Sequence, residues 1–543
     1  MCPSSRSLHI ALVLLTSCVV IVSSFLAVGQ VLQTNWNDLF LFNGDSLTLA
    51  LYAKSLFSGE LRDWTFSSQI FFFPEIFIYV ICYALTPNLE WSFILNGLVN
   101  YWLYIFLLYR IASAVGADLW VRCGFIVLTS CLLLLYCSLE QGAEVNVTAL
   151  VTLFLFNTYY FGVILCALCV TWLCCGVLNG HEFARRYGYG LILAVSAMTY
   201  FSNPMFLLQG AVPFVACFVF MRWSLRVDKK ISRGLIVSMI AGVLIGQAMR
   251  MIFSDHVGKS IGKYVHLRSV IEGIQGFGEN LTKAFDSTAG MIEYSIITGL
   301  LVASLAVAIR HVGTQQPERH FSAKPASQAL IFLVLFTTFS ACVTLVGTLA
   351  SGNYLMRYFL PVALLPVFVF LTTVQQAKTV RLYFCLCLIA GIAMVAITIY
   401  RSNSGVNFSW LRDARYSQHH EGIRCFNGHM SDRPFNVVGT FWSTRTLDAY
   451  STTRARALQV NERFEPTLWL NNRATYKEVT INGVIVSRPQ GEVRQKGNIY
   501  AEVTRILGRP DRILACQDFD IYFYASGSPG FTQLAEQMKK LKR

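Results

Sequence analysis

The sequence predicts a polytopic α-helical membrane protein of about eleven spans, with juxtamembrane helices in its first outer loop and a soluble α+β domain at its end. Three observations predict it. Apolar runs near the roughly 20-residue length of a membrane-crossing helix recur between residues 9 and 400. Lys and Arg gather in the short loops that alternate threading would place on one side, the pattern of cytoplasmic loops. From Arg401 the composition becomes that of a soluble domain. Across 543 residues the chain is 55% hydrophobic and 14% charged, which excludes an ordinary soluble protein.

The first run, ALVLLTSCVVIVSSFLAVGQVL, follows Arg6 and is too long and too poor in a cleavage pattern for a signal peptide. It reads as an uncleaved helix with its N-terminus in the cytoplasm. Span 1 (9–31) therefore runs outward to an acidic loop, 32–90. Spans 2 (91–111) and 3 (121–138) put Arg110 and Arg122 inside and Glu140 and Glu144 outside. The run 147–178 reads as one long or bent helix leading to the basic HEFARR. Spans 5 (188–202), 6 (205–223) and 7 (234–253) follow, then an outer loop, 254–288. Spans 8 (289–309), 9 (328–350), 10 (358–375) and 11 (382–400) complete the module and leave the tail outside. The segment 69–86 reads as an interfacial helix, because Pro74-Glu75 interrupts it and counting it as a span would expose Arg110 and Arg122. The division expected is a membrane module, 1–400, and an extracytoplasmic domain, 401–543.

In the tail, EVTINGVIVS, RILAC and FDIYFYA read as strands, with helices near 496–507 and 531–541. Of the 16 cysteines, 14 precede residue 400 and nearly all lie in apolar runs, where Cys acts as a small hydrophobe. Cys425 and Cys516 alone fall in the tail and are expected to pair if it is exported. The net charge of +14 does not imply nucleic acid, because topology accounts for its placement. No cofactor is implied, and a divalent metal, although compatible with the chemistry, is not indicated.

The chemistry-bearing residues concentrate in the acidic loop, whose residues 33–90 carry Asp38, Asp45, Glu60, Asp63, Glu75 and Glu90 against Lys54 and Arg62. DSLTLALYAKSLFSG reads as a short amphipathic helix with Asp45 at the N-cap position and Gly59 as its stop. Asp45 is thus either a cap or a base. Glu75, at the edge of lipid, is either a solvated acid or a group that holds a substrate. Arg357 opens a late span, where a guanidinium suits a phosphate and an ordinary interfacial arginine is also at home. Arg250 sits near a span end, where a charge needs a partner or a task. Glu140 and Glu144 read as solvated loop acids or as a further acidic contact to substrate. His256, Lys259, Lys263, His266 and Arg268 form a basic cluster suited to a carrier phosphate or to anionic headgroups.

Asp45 soon after span 1, FFFPE at 71–75 and RYFLP at 357–361, on this layout, resemble the GT-C glycosyltransferases. That family includes protein O-mannosyltransferases and bacterial aminoarabinose transferases. The likeness covers residues 9–400, and FNVVGTFWSTRTLDAY and the stretch to FDIYFY look like the tails of bacterial members. The Lys-Pro-Pro of aminoarabinose transferases is missing. The resemblance implies a GT-C fold in the bacterial inner membrane and transfer of a sugar from a polyprenyl-phosphate donor to a glycan, lipid or protein acceptor. It further implies an inverting reaction, with Asp45 and Glu75 as the catalytic carboxylates. Lys54, Arg250, Arg357, Tyr358, Glu140 and Glu144 are then the substrate-binding set. Two other classes stay open: a transporter or lipid flippase, against which the crowding of charge at the outer face argues, and a non-catalytic scaffold on the same frame.

Overall fold

The computed structural model describes residues 5–34, 36–60, 63–144, 147–148, 150–156, 160–224, 227–258, 267–313, 325–375, 386–387, 389, 391–393, 408–411, 415–430, 435–453, 455–477, 479–487 and 500–540. The membrane half is helical: α1 (Ser5–Leu32), α2 (Gly44–Phe57), α3 (Phe77–Leu85), α4 (Leu89–Ala114), α5 (Leu119–Leu139), α6 (Gly162–Leu178) and α7 (Glu182–Ser202). It continues with α8 (Val212–Ser224), α9 (Lys229–Ile252), α10 (Leu267–Phe285), α11 (Thr288–Gly313), α12 (Pro325–Ala350), α13 (Leu360–Leu364) and α14 (Phe368–Gln375). Among the described residues six helices are long and apolar enough to cross a membrane, and four shorter apolar helices accompany them. The protein is an integral, multi-pass membrane protein. Most of the expected eleventh span, 382–400, lies outside the described residues.

Local chemistry explains where these helices begin. Asn88 caps α4 by accepting from the Trp91 N–H, Asp118 caps α5 from Val121, and Asp228 caps α9 from Lys230. Large apolar side chains on α1, α9 and α11, such as Leu14, Leu244 and Ile309, point outward, as a lipid-facing surface requires. Inside, α9 packs on α7 through Gly242 and Gly246. A Cβ at Gly246 would stand 2.5 Å from the Ala197 carbonyl oxygen, so only glycine allows this approach.

Three sequence expectations need correction. The run 147–178 is not one helix: a 3₁₀ turn, Val151–Leu155, is followed after a break by α6. A short apolar run carries no period that separates the two cases. The segment 254–288, expected as an outer loop, contains a full helix, α10, which packs on α12 and α11. Finally, α2 is not amphipathic. Its residues Gly44 and Ser46–Ala53 are buried, because the tail covers the side that would otherwise meet water.

The tail contains one five-stranded mixed sheet, in the order β3-β2-β5-β7-β6. Its strands are β2 (Asn436–Gly439), β3 (Ala457–Gln459), β5 (Ile481–Ser487), β6 (Arg512–Ala515) and β7 (Phe519–Phe523). The strands β2, β3 and β5 run parallel, while β7 pairs antiparallel with both β5 and β6. A two-stranded antiparallel sheet joins the acidic loop to the tail, through β1 (Trp64–Thr65) and β4 (Asn471–Asn472). Further ties converge on the same loop. Thr446 and Tyr450 hydroxyls donate to the Phe42 and Leu41 carbonyls, Lys54 to the Ala449 carbonyl, and the Ser417 N–H to Glu90. Cys425 and Cys516 are joined by a disulfide.

Candidate functional site

Helix α2 begins with Asn43, not Asp45, as its cap: the Asn43 side-chain oxygen accepts from the Asp45 N–H at 2.9 Å. Asp45 is therefore in the first turn, with its carboxylate released from capping. That carboxylate meets Arg357, with Oδ2 and Nη1 3.4 Å apart. Both side chains are about one-fifth exposed. Burial raises the Asp45 carboxyl above the ordinary carboxylate range, and the charges of Arg357 and Arg445 oppose that rise.

Aromatic and amide groups hold Arg357 in place. It lies in a 3₁₀ turn, Met356–Phe359, just before Pro361 opens α13. Its guanidinium stands 5.5 Å from the Tyr358 ring centroid. The Tyr160 hydroxyl donates to that of Tyr358 at 3.3 Å, and the rings are 4.8 Å apart. Gln209 donates to the Tyr358 carbonyl and itself accepts from Ser340, which ties the turn to α12. Tyr160 and Gln209 have no signal in the sequence, because one lies in a run read as plain helix and the other in a span.

Glu75 lies against the start of α6. It is buried, and a Cβ at Gly162, two residues beyond Tyr160, would stand 2.4 Å from its Cδ. Neither Glu75 carboxylate oxygen has a hydrogen-bond partner among the described residues. A buried acid in that condition is costly unless something arrives to pair with it.

No protein-family model matches the chain, and no curated protein matches it in sequence. Its structure is similar to that of ArnT from Cupriavidus metallidurans bound to undecaprenyl phosphate, with a TM-score of 0.55 and 14% identity over 95% of this chain and 98% of that one. The apo crystal structure of the same ArnT matches with a TM-score of 0.55 and 13% identity, covering 94% and 97%. This chain has an ArnT-like fold. The GT-C-like architecture expected from the sequence is thereby shown, over both the membrane half and the tail.

Within this ArnT-like frame the other candidates separate. Lys54 lies on α2 but turns toward the tail, where it bonds to Ala449; burial lowers its ammonium from the usual value. Arg250 spends its fork on backbone, donating to the Phe201 carbonyl at 2.8 Å and the Ser68 carbonyl at 2.6 Å. It staples the acidic loop to the end of α7. Glu140 is not a solvated acid. It is fully buried and accepts the N–H groups of Leu150, Val151 and Thr152 at 2.7, 2.6 and 2.6 Å, closing the start of the 3₁₀ turn. Glu144 is exposed. In the basic cluster, the His256 ring lies 2.9 Å from the Trp64 carbonyl and Arg268 pairs with Glu272, while Lys259, Lys263 and His266 lie outside the described residues. Among the described residues no group of three His, Cys, Asp or Glu side chains could hold a metal.

A cavity of about 490 Å³ lies between α2, Trp64 and Tyr83 on one side and the tail on the other. Arg445 and Arg456 line it together with Lys54.

Proposed function

We propose that this protein is a membrane glycosyltransferase that moves a sugar from a polyprenyl-phosphate carrier to an acceptor hydroxyl at the outer face of a bacterial inner membrane. The observation that carries the reading is the Asp45–Arg357 pair, assembled from residues 312 apart in sequence. The ArnT fold supports it, since the Cupriavidus protein is crystallised with undecaprenyl phosphate. In this reading the boundary between membrane module and outer domain falls near residue 400, with the tail outside the cytoplasm.

The chemistry asks for a base and a cation. Asp45 takes the proton of the acceptor hydroxyl, and the acceptor oxygen attacks the anomeric carbon from the face opposite the phosphate. The bond from that carbon to the phosphate oxygen breaks, its electron pair leaving on the lipid phosphate, and the configuration inverts. Arg357 meets the charge that grows on the phosphate, and its five N–H donors allow it to touch Asp45 as well. Burial makes Asp45 a stronger base than a solvated aspartate, which suits it to a hydroxyl proton. Glu75, with two unpaired buried oxygens, accepts hydroxyl hydrogens of the transferred sugar. Tyr160 and Tyr358 orient Arg357.

The direct test uses purified protein in nanodiscs with polyprenyl-phosphate sugars as donors. Transfer of label from donor to an envelope glycan or lipid fraction, with release of polyprenyl phosphate, is expected. Absence of both transfer and undecaprenyl-phosphate binding would reject the reading.

A further inference from the structure

The cavity between α2 and the tail is polar where a core cavity would be apolar. Its walls include the hydroxyl and amide groups of Ser55, Ser451, Thr453, Asn471, Asn472 and Thr475. Trp64 and Tyr83 add flat aromatic surface. Alternating hydroxyl or amide donors with aromatic faces suits the alternating polar edges and apolar faces of a sugar ring. At about 490 Å³ it falls within the size range of small-molecule sites and has room for one or two sugar rings.

Charge of both signs lines the cavity: Lys54, Arg445 and Arg456 against Glu60 and Asp448. Arg456 is already paired, its Nε 2.9 Å from Asp448, and Lys54 is bonded to a tail carbonyl. Arg445 is different. It is 3% exposed, and its Nε and Nη2 have no hydrogen-bond partner among the described residues, although the guanidinium lies 5.1 Å from the Phe441 ring centroid. The charges of Asp448 and Asp45 favour this cation, but its two unused forked donors still call for an acceptor. The residue also links two places. It lines the cavity, and its charge is felt at Asp45, which does not itself line it.

We propose that this cavity is the acceptor subsite and that it binds a saccharide carrying an oxyanion, phosphate or carboxylate, which Arg445 receives. The assignment rests on the glycosyl-transfer reading only for the word acceptor; the cavity, its lining and the unpaired guanidinium stand without it. The geometry favours acceptor over donor because the tail and the acidic loop form the walls, away from the helices that meet lipid. Along α2 the lining begins at Leu51, about 9 Å of helix rise beyond Asp45, so an acceptor seated there must extend past Arg445 to bring a hydroxyl to Asp45.

The test is binding of soluble probes to the full-length protein in nanodiscs, read by saturation-transfer NMR and titration, with no transfer step involved. Glucose 6-phosphate, glucuronate and glucose are the probes. The expected result is saturable binding of one or both anionic sugars at least 10-fold tighter than glucose, competed by inorganic phosphate. Arg445→Gln should weaken the anionic probes about 10- to 100-fold and leave glucose little changed. Because Arg445 is buried and its replacement can unfold the tail, Ser55→Phe provides a second variant, which fills the cavity from α2 and should abolish binding of every probe. Asp45→Asn should bind the anionic probes at least as tightly as the native protein, because a negative charge felt by Arg445 is removed, which separates this site from the chemical step. Equal affinity for glucose and its charged relatives, or undiminished anion binding in folded Ser55→Phe protein, would overturn the proposal. Anionic binding at the cavity in a protein that proves inactive in transfer would support the site while removing the acceptor role.

Discussion

Replacing Asp45 by Asn tests the central pair with little collateral change. The cap of α2 survives, because it is made by the Asn43 side chain to the backbone N–H of residue 45. Side-chain volume is conserved, so what goes is the negative charge and the basicity. At 3.4 Å, in an effective dielectric of about 20, opposite unit charges attract by about 5 kcal/mol before any discount. Solvent reaches both side chains, and the carboxylate already bears a desolvation penalty that Asn does not. The expected net loss is about 1–2 kcal/mol, the range between exposed and fully buried pairs. That lowers the thermal midpoint by a few degrees without unfolding the protein. The kinetic effect should be much larger. A positioned general base contributes about 10²–10⁴-fold, so kcat should fall by that factor, about 2.7–5.4 kcal/mol of activation free energy. Undecaprenyl-phosphate binding should persist. The native pH profile adds a second readout. Burial raises the Asp45 carboxyl, so activity should be lost as pH falls through a value above that of a free aspartate, and Asp45→Asn should abolish that limb. A folded Asp45→Asn protein with near-native kcat would refute the assignment and transfer the base role to Glu75.

Other predictions follow from single contacts. Arg357→Gln should weaken undecaprenyl-phosphate binding and lower kcat, together by about 10²–10³-fold in kcat/KM, with Arg357→Lys recovering part of the loss; unchanged values would remove Arg357 from the phosphate site. Glu140→Gln should destabilise the protein by about 2–4 kcal/mol, since an amide cannot accept all three N–H groups, while residual folded protein keeps its kcat; a large loss of kcat with an unchanged thermal midpoint would contradict the stapling role. Membrane-impermeant thiol reagents applied to intact spheroplasts should label Cys425 and Cys516 only after reduction, and labelling that requires permeabilisation would place the tail inside.

Much of the architecture was legible because its signals are local. Hydropathy over a span's length marks membrane helices, whereas the caps that start them, such as Asn88 and Asp118, were seen only in the structure. The strands β5, β6 and β7 were visible as alternation. The short parallel strands β2 and β3 were not, since three or four buried residues have no readable period. The helix α10, by contrast, carries a readable helical period, with Val270, Ile274, Phe277 and Leu281 at three- and four-residue spacing, which reading 254–288 as a loop passed over.

The sequence by itself determined the polytopic class, the order of the apolar helices and the concentration of acids in the first loop, because each depends on neighbours a few residues apart. It could not decide what those acids do. Asp45 as cap or base turned on whether Asn43, two residues away, took the capping position. Glu140 as solvated acid or buried staple turned on how the chain at residues 150–152 folds back over it. Arg250 and Arg357 are both arginines at span ends, yet one is consumed by the Ser68 and Phe201 carbonyls and the other faces Asp45. Arg445 acquires its meaning only when the tail folds over α2. In each case the energy of a charged group depends on which partners and how much water the tertiary fold leaves beside it, and residues hundreds of positions away supply them.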